Sequence, residues 1–205
     1  MKKLILLFVL FGFLGVGCTH NWNVVLQPNY ERVLSPDNQL TKLERKLVFG
    51  QGAFADNRSD TSSLVVVKKS GHTYKFHEKP SAEVVFYEEL KYLMTSSGHK
   101  WLAVDESDVK IDLTFMACNA EAKTGWVFVG ATSSLQLKLD FIDTKTNSLI
   151  YRSTYSGNGM YRQAMAGLWK NMVMNAIHRS IIKCINDVGD DRRLADALAT
   201  KSTEK

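Results

Sequence analysis

Val109-Lys110-Ile111-Asp112-Leu113-Thr114-Phe115 and Leu135-Gln136-Leu137-Lys138-Leu139-Asp140-Phe141 decide the fold. In both stretches apolar residues alternate with charged or polar ones. One face is therefore set for burial and the other for water, the period-two signature of a half-buried β-strand. The apolar face of the first stretch continues to Ala117, and Trp126 to Val129 leads into the second. Asp143 to Ser148 reads as a hairpin loop and Leu149 to Tyr155 as the returning strand. Together these pieces predict an antiparallel meander, which Gly157-Asn158-Gly159 is expected to end.

Beyond those glycines the period changes. From Tyr161 to Val188 there is no proline, and apolar residues recur as Leu168/Trp169, Met172/Val173, Ala176/Ile177, Ile181, Cys184/Ile185 and Val188. That spacing predicts a long amphipathic helix lying on the sheet, with Gly189 at its C′ position. Residues 190–205 read as a polar tail, helical at most near Leu194 to Leu198.

Upstream, Leu47 to Phe54, Leu64 to Val67 and Thr73 to Phe76 read as strands, and Gly71-His72 as a turn. Ser81 is placed as the N-cap of a first helix that Gly98 ends. Phe86, Leu90 and Leu93 form its apolar face, with Glu83, Glu88 and Glu89 on the solvated side. The order of strands, helix, strands, helix argues for an α+β fold: an antiparallel sheet with two helices packed on one face, the C-terminal helix long.

The N-terminus has a different composition. Lys2 and Lys3 precede an uncharged run of 13 residues, Leu4 to Val16, with Gly17 and Cys18 after it. A bilayer-spanning helix needs about 20 apolar residues, so the run fits a secretory signal peptide better. Its removal takes away two lysines and lowers the formal charge from +5 to +3. This mild charge, with no clustered Lys/Arg face, does not imply nucleic acid. The expected organisation is 1–17 as signal peptide, 18–46 as anchor and polar tether with one short extended piece at Asn23 to Leu26, 47–189 as a single domain and 190–205 as the tail. Cys118 and Cys184 either pair or sit buried as free thiols.

Leu14-Gly15-Val16-Gly17-Cys18 resembles the lipobox of bacterial lipoproteins, with Gly15 standing where that motif carries leucine. The resemblance implies acylation of Cys18 and cleavage just before it. Thr19 after the cysteine implies sorting to the outer membrane, on its periplasmic face. Ala55-Asp56-Asn57-Arg58-Ser59-Asp60 resembles the Ala-Asp-x-Arg-x-Asp turn of YajG-like bacterial lipoproteins, a family without a known activity. Val24 to Pro28, the helix around Phe86 with the strand after it, and Tyr155-Ser156-Gly157 resemble further parts of that family in the same order. The family implies a periplasmic α+β domain and no catalytic residues.

No constellation for chemistry appears. The five histidines (His20, His72, His77, His99 and His178) show no metal-ligand spacing. No serine lies in Gly-x-Ser-x-Gly, and Gly50-Gln51-Gly52 lacks the third glycine and the helix of a dinucleotide fingerprint. No cofactor, metal or catalytic residue is expected. Asp56 and Arg58 either close their own turn or form a recognition loop. Trp126 and Phe128 lie in a run that is apolar on both faces, so the sheet is covered there or leaves a patch for a partner. The reading that results is a non-enzymatic, lipid-anchored envelope protein that binds another envelope component. The alternative is a lipid-handling accessory of an envelope transport system, which needs an apolar cavity between sheet and helix.

Overall fold

The alternating stretches become the two central strands of a five-stranded sheet in the computed structural model, which describes residues 19–25, 34–69, 72–124, 128–164 and 169–203. The strands are β1 (Thr19–Val25), β2 (Val48–Asp56), β3 (Val65–Lys69), β4 (His72–Lys79), β5 (Lys100–Leu102), β6 (Val109–Thr124), β7 (Phe128–Asp143) and β8 (Leu149–Ala164). The helices are α1 (Ala82–Ser96), α2 (Trp169–Asp190) and α3 (Arg192–Thr203). The large sheet has the order β5-β2-β6-β7-β8, and a smaller one the order β1-β4-β3.

The α+β class holds, and β6, β7 and β8 form the antiparallel meander. The large sheet as a whole is mixed rather than antiparallel. β2 runs parallel to both β5 and β6, because the chain returns from β2 to β5 and β6 through the α1 crossover, and such a return brings strands in parallel.

The inner face of the meander is the core. Val109, Ile111, Leu113 and Phe115 of β6 and Leu135, Leu137, Leu139 and Phe141 of β7 are buried. A bulge between Phe115 and Ala117 inserts Met116 and reverses the alternation beyond it. Ala120 therefore faces inward, whereas Ala117, expected on the apolar face, is only half-buried. Phe86, Leu90 and Leu93 of α1 are buried as the helical period requires, and Phe86 meets Phe115 edge-on at 5.0 Å between ring centroids. Gly98, at φ +85°, ends the helix. Ser81 occupies the N-cap position without a side-chain cap bond. Glu89 is buried rather than on the solvated side.

Further expectations fail in the glycine run, at Gly189, in the tail and in 19–46. Gly157-Asn158-Gly159 does not end the sheet: these residues pair with Leu135, Ser134 and Ser133 inside β8. A Cβ on Gly157 would lie 1.7 Å from the Ser180 carbonyl oxygen, and one on Gly159 1.8 Å from that of Ala176. The glycines are there because the α2 backbone rests directly on the strand. α2 accordingly begins at Trp169, with Tyr161 to Ala164 still in β8.

Gly189 is not a C′ residue but a buried position inside α2. The tail is not frayed: α3 buries Leu194 and Leu198 completely. Finally, 19–46 is not a plain tether in its described parts. β1 pairs along its whole length with β4, from Thr19↔Thr73 to Val25↔Lys79. Leu40 and Leu43 join the core. His99 fastens this segment: its Nδ1 accepts from the Leu47 amide at 3.2 Å, and its Nε2 lies 3.1 Å from the Leu40 carbonyl. Apolar content is thin in 19–46, so burial of a few separated leucines left no periodic signal.

Candidate functional site

Asp56 ends β2 and Arg58 follows two residues later, where the chain turns toward β3. The short spacing lets the carboxylate grip the guanidinium of its own turn. Arg58 Nε donates to Asp56 Oδ1 at 2.9 Å and Nη2 to Oδ2 at 2.6 Å, a bidentate pair. Nη1 donates to the Ser63 and Leu64 carbonyls at 2.8 and 2.9 Å. The guanidinium lies 4.3 Å from the Phe115 ring centre, and Glu78 of β4 is 3.9 Å from Nη2. Only 5% of the Arg58 side chain is exposed. Its hydrogen bonds hold the Asp56 carboxyl below the usual carboxylate range. The arrangement ties the end of β2 to the start of β3 and seats the cation on the core.

Beside this clamp, between the β2–β3 turn and β6, is a cleft of about 220 Å³ lined by Arg58, Ser63, Leu64, Met116 and Cys118 among others. Burial pushes the Cys118 thiol up to about 12, and that of Cys184 likewise. Both are protonated at neutral pH and poor nucleophiles. Both are free rather than paired.

The other expected residues are not brought to this place. Cys18 and Trp126 lie outside the described residues, and Phe128 is described only as backbone at the start of β7, paired with Ala164. Asp56 pairs with Phe115, whose partner on β7 is Leu137. Phe128 is nine residues further along that strand, roughly 30 Å at the usual rise per residue. The backbone at Asp56 is therefore far along the sheet from that at Phe128. Among the described residues no group of three or more His, Cys, Asp and Glu could hold a metal ion. Among them, too, no helix is long and apolar enough to cross a membrane.

Two clusters escaped the sequence reading. Asp191 accepts from both Tyr151 and Tyr155 of β8, at 2.9 and 2.8 Å. At the start of β1, His20 stacks on Tyr74 at 5.0 Å, and Trp22 lies 4.7 Å from Trp169. The signal for the second was present as pairs two apart, His20/Trp22 and His72/Tyr74/Phe76. These two runs lie on β1 and β4 of the small sheet, which no long alternation announces.

No family model and no curated protein matches the chain. Solved structures do. A protein from Xanthomonas campestris of the DUF330 family, XCC0632, superposes with a TM-score of 0.54 at 11% identity, covering 89% of this chain and 97% of that one. A homologue of a neuraminyllactose-binding hemagglutinin from Helicobacter pylori gives 0.45 at 10% identity, over 77% and 91%. A minor lipoprotein from Acinetobacter baumannii gives 0.38 at 10% identity, over 76% and 94%. At this identity the likeness to the DUF330 protein is one of fold alone.

Proposed function

We propose that this chain is a bacterial lipoprotein of the YajG-like kind, acylated at Cys18. It is held at the periplasmic face of the outer membrane and binds another envelope component without catalysing a reaction. The observation that carries the reading is the stretch Lys2 to Cys18: two cations, an uncharged run too short to span a bilayer, and a cysteine behind small residues. Acyl chains add about 0.8 kcal/mol per buried CH₂, so triple acylation is effectively permanent anchoring.

The non-enzymatic part rests on how the reactive groups are held. The thiols are kept protonated by burial, and four of the five Arg58 N–H donors are taken by Asp56, Ser63 and Leu64. The partner-binding part rests on the run Trp126 to Val129, which the sequence makes apolar at every position. The lipid-handling alternative has less support, since α2 sits on β8 at Gly157 and Gly159 with no space between.

The test of the anchor is Cys18→Ser, compared with wild type by intact mass and membrane fractionation. A soluble or uncleaved product supports acylation at Cys18; unchanged mass and membrane association refute it. For the partner, a photo-crosslinker at position 126 should capture one envelope protein reproducibly.

A further inference from the structure

We infer that the domain rests directly on the bilayer, with the aromatic end of the small sheet as its lipid-contacting surface. The inference builds on acylation at Cys18. A flexible tether over residues 19–46 would be 28 residues long, with an end-to-end distance of roughly 30 Å. Instead, Thr19 is already hydrogen-bonded sheet, in register with Thr73. One residue of chain reaches only about 3.5 Å. An acylated Cys18 therefore holds the first row of the β1-β4-β3 sheet at the headgroups.

That row is built for the position. The aromatic side chains run from the core outward along β1 and β4. Phe76 is fully buried, Trp22 and Tyr74 are half-buried, and His20 is exposed at the end where Cys18 attaches. Trp169, opening α2, packs on the same column, 4.5 Å from Tyr74. Tryptophan and tyrosine with an apolar body and a polar tip favour the membrane–water interface.

The charge agrees. Lys170 stands 5.7 Å from the Trp22 ring. Lys68, exposed, pairs with Thr73 in the same end row. Glu78 lies toward the opposite end of β4, paired with Val24. A cationic, aromatic rim fits a surface containing anionic headgroups.

The experiment uses the full chain, purified in detergent from a Gram-negative host and checked for acylation by intact mass. It is reconstituted in phosphatidylethanolamine–phosphatidylglycerol vesicles with plain or brominated acyl chains. Wild type is expected to lose roughly half its emission to the brominated lipid, the share of two of its four tryptophans, if those two lie at the interface. Trp22→Phe with Trp169→Phe removes that quenching, and Trp101→Phe keeps it. Because the double variant alters packing, His20→Cys carrying a nitroxide gives a second reading at an exposed position, with oxygen accessibility above that of water.

Acylated, vesicle-bound protein with unquenched tryptophans and a water-like nitroxide overturns the inference and leaves the anchor standing. So does crosslinking of a protein over this rim. Absence of the acyl mass overturns both.

Discussion

The Tyr155 hydroxyl donates to Oδ2 of Asp191 at 2.8 Å, joining the edge strand of the large sheet to the junction between the last two helices. The same oxygen takes the Tyr151 hydroxyl. The other oxygen, Oδ1, accepts from the amides of Arg193 and Leu194 and so caps α3. One carboxylate thus starts the final helix and fixes it to β8.

Asp191→Ala is expected to cost about 2–4 kcal/mol, the sum of a lost cap and of two hydroxyls left without their charged acceptor. Tyr155→Phe removes one bond and keeps the cap, so it should cost about 1–2 kcal/mol. Urea midpoints of the two variants give the order. A smaller loss in Asp191→Ala than in Tyr155→Phe would show that α3 does not depend on this residue.

The glycines of β8 make a sharper prediction. Two strand residues rise about 6.7 Å and four helical residues about 6 Å, so Gly157 and Gly159 meet the Ser180 and Ala176 carbonyls in step. α2 therefore runs antiparallel to β8. Gly159→Ala puts a methyl where the helix backbone is, and should cost about 3 kcal/mol or leave no soluble protein. Ser156→Ala, on an exposed position of the same strand, should stay within about 0.5 kcal/mol. Thermal melts of the pair separate a tight contact from a weak strand.

These glycines also mark what the sequence conceals. The alternation at 109–115 and 135–141 was legible because one side of the sheet is buried by helices and the other is wet. The face of α1 was legible for the same reason. Gly157 and Gly159 looked like breakers because a glycine's own propensity is visible, whereas the helix that demands it lies some 20 residues on. The identical inward position two apart was the available hint. Residues 190–205 looked like a tail because Leu194 and Leu198 are the only large apolar residues there, too few for a period. At the candidate site, Asp56 and Arg58 were legible as a linked turn. That the guanidinium lies on Phe115 was not, since β6 arrives from far along the chain.

Arg58 tests the clamp. Arg58→Lys keeps a cation but loses the fork that reaches Asp56, Ser63 and Leu64 together. A loss of about 2–3 kcal/mol is expected, with Arg58→Ala at least as large because the buried carbonyls lose their donor. The Asp56 contribution is full above the unfolded carboxyl value of 3.8 and is lost as pH falls through the lower folded value. Urea unfolding at pH 7 and pH 3 should therefore show a smaller wild-type-to-Lys difference in acid. If Arg58→Lys is as stable as wild type, the pair is dispensable to the fold.

His99 gives the molecule a pH dependence nearer neutrality. Burial is the main cause that lowers its value from 6.5. Nδ1 accepts from the Leu47 amide, which leaves Nε2 to donate to the Leu40 carbonyl. Protonation would remove that acceptor. Below about 6.5 the unfolded chain binds a proton that folded His99 still refuses, so the folded state is at a disadvantage. The stability His99 supplies is complete above that pH and is lost as pH falls through the lowered folded value. The slope is at most about 1.4 kcal/mol per pH unit for one such group. His178, also lowered by burial, adds to the wild-type response in the same direction. His99→Gln can keep one donor and one acceptor without titrating. Between pH 7.5 and pH 5.5 its unfolding free energy should fall less than that of wild type. Hydrogen exchange in acid should then show residues 38–43 opening first in wild type and held in the variant, since His99 fastens Leu40 to the core.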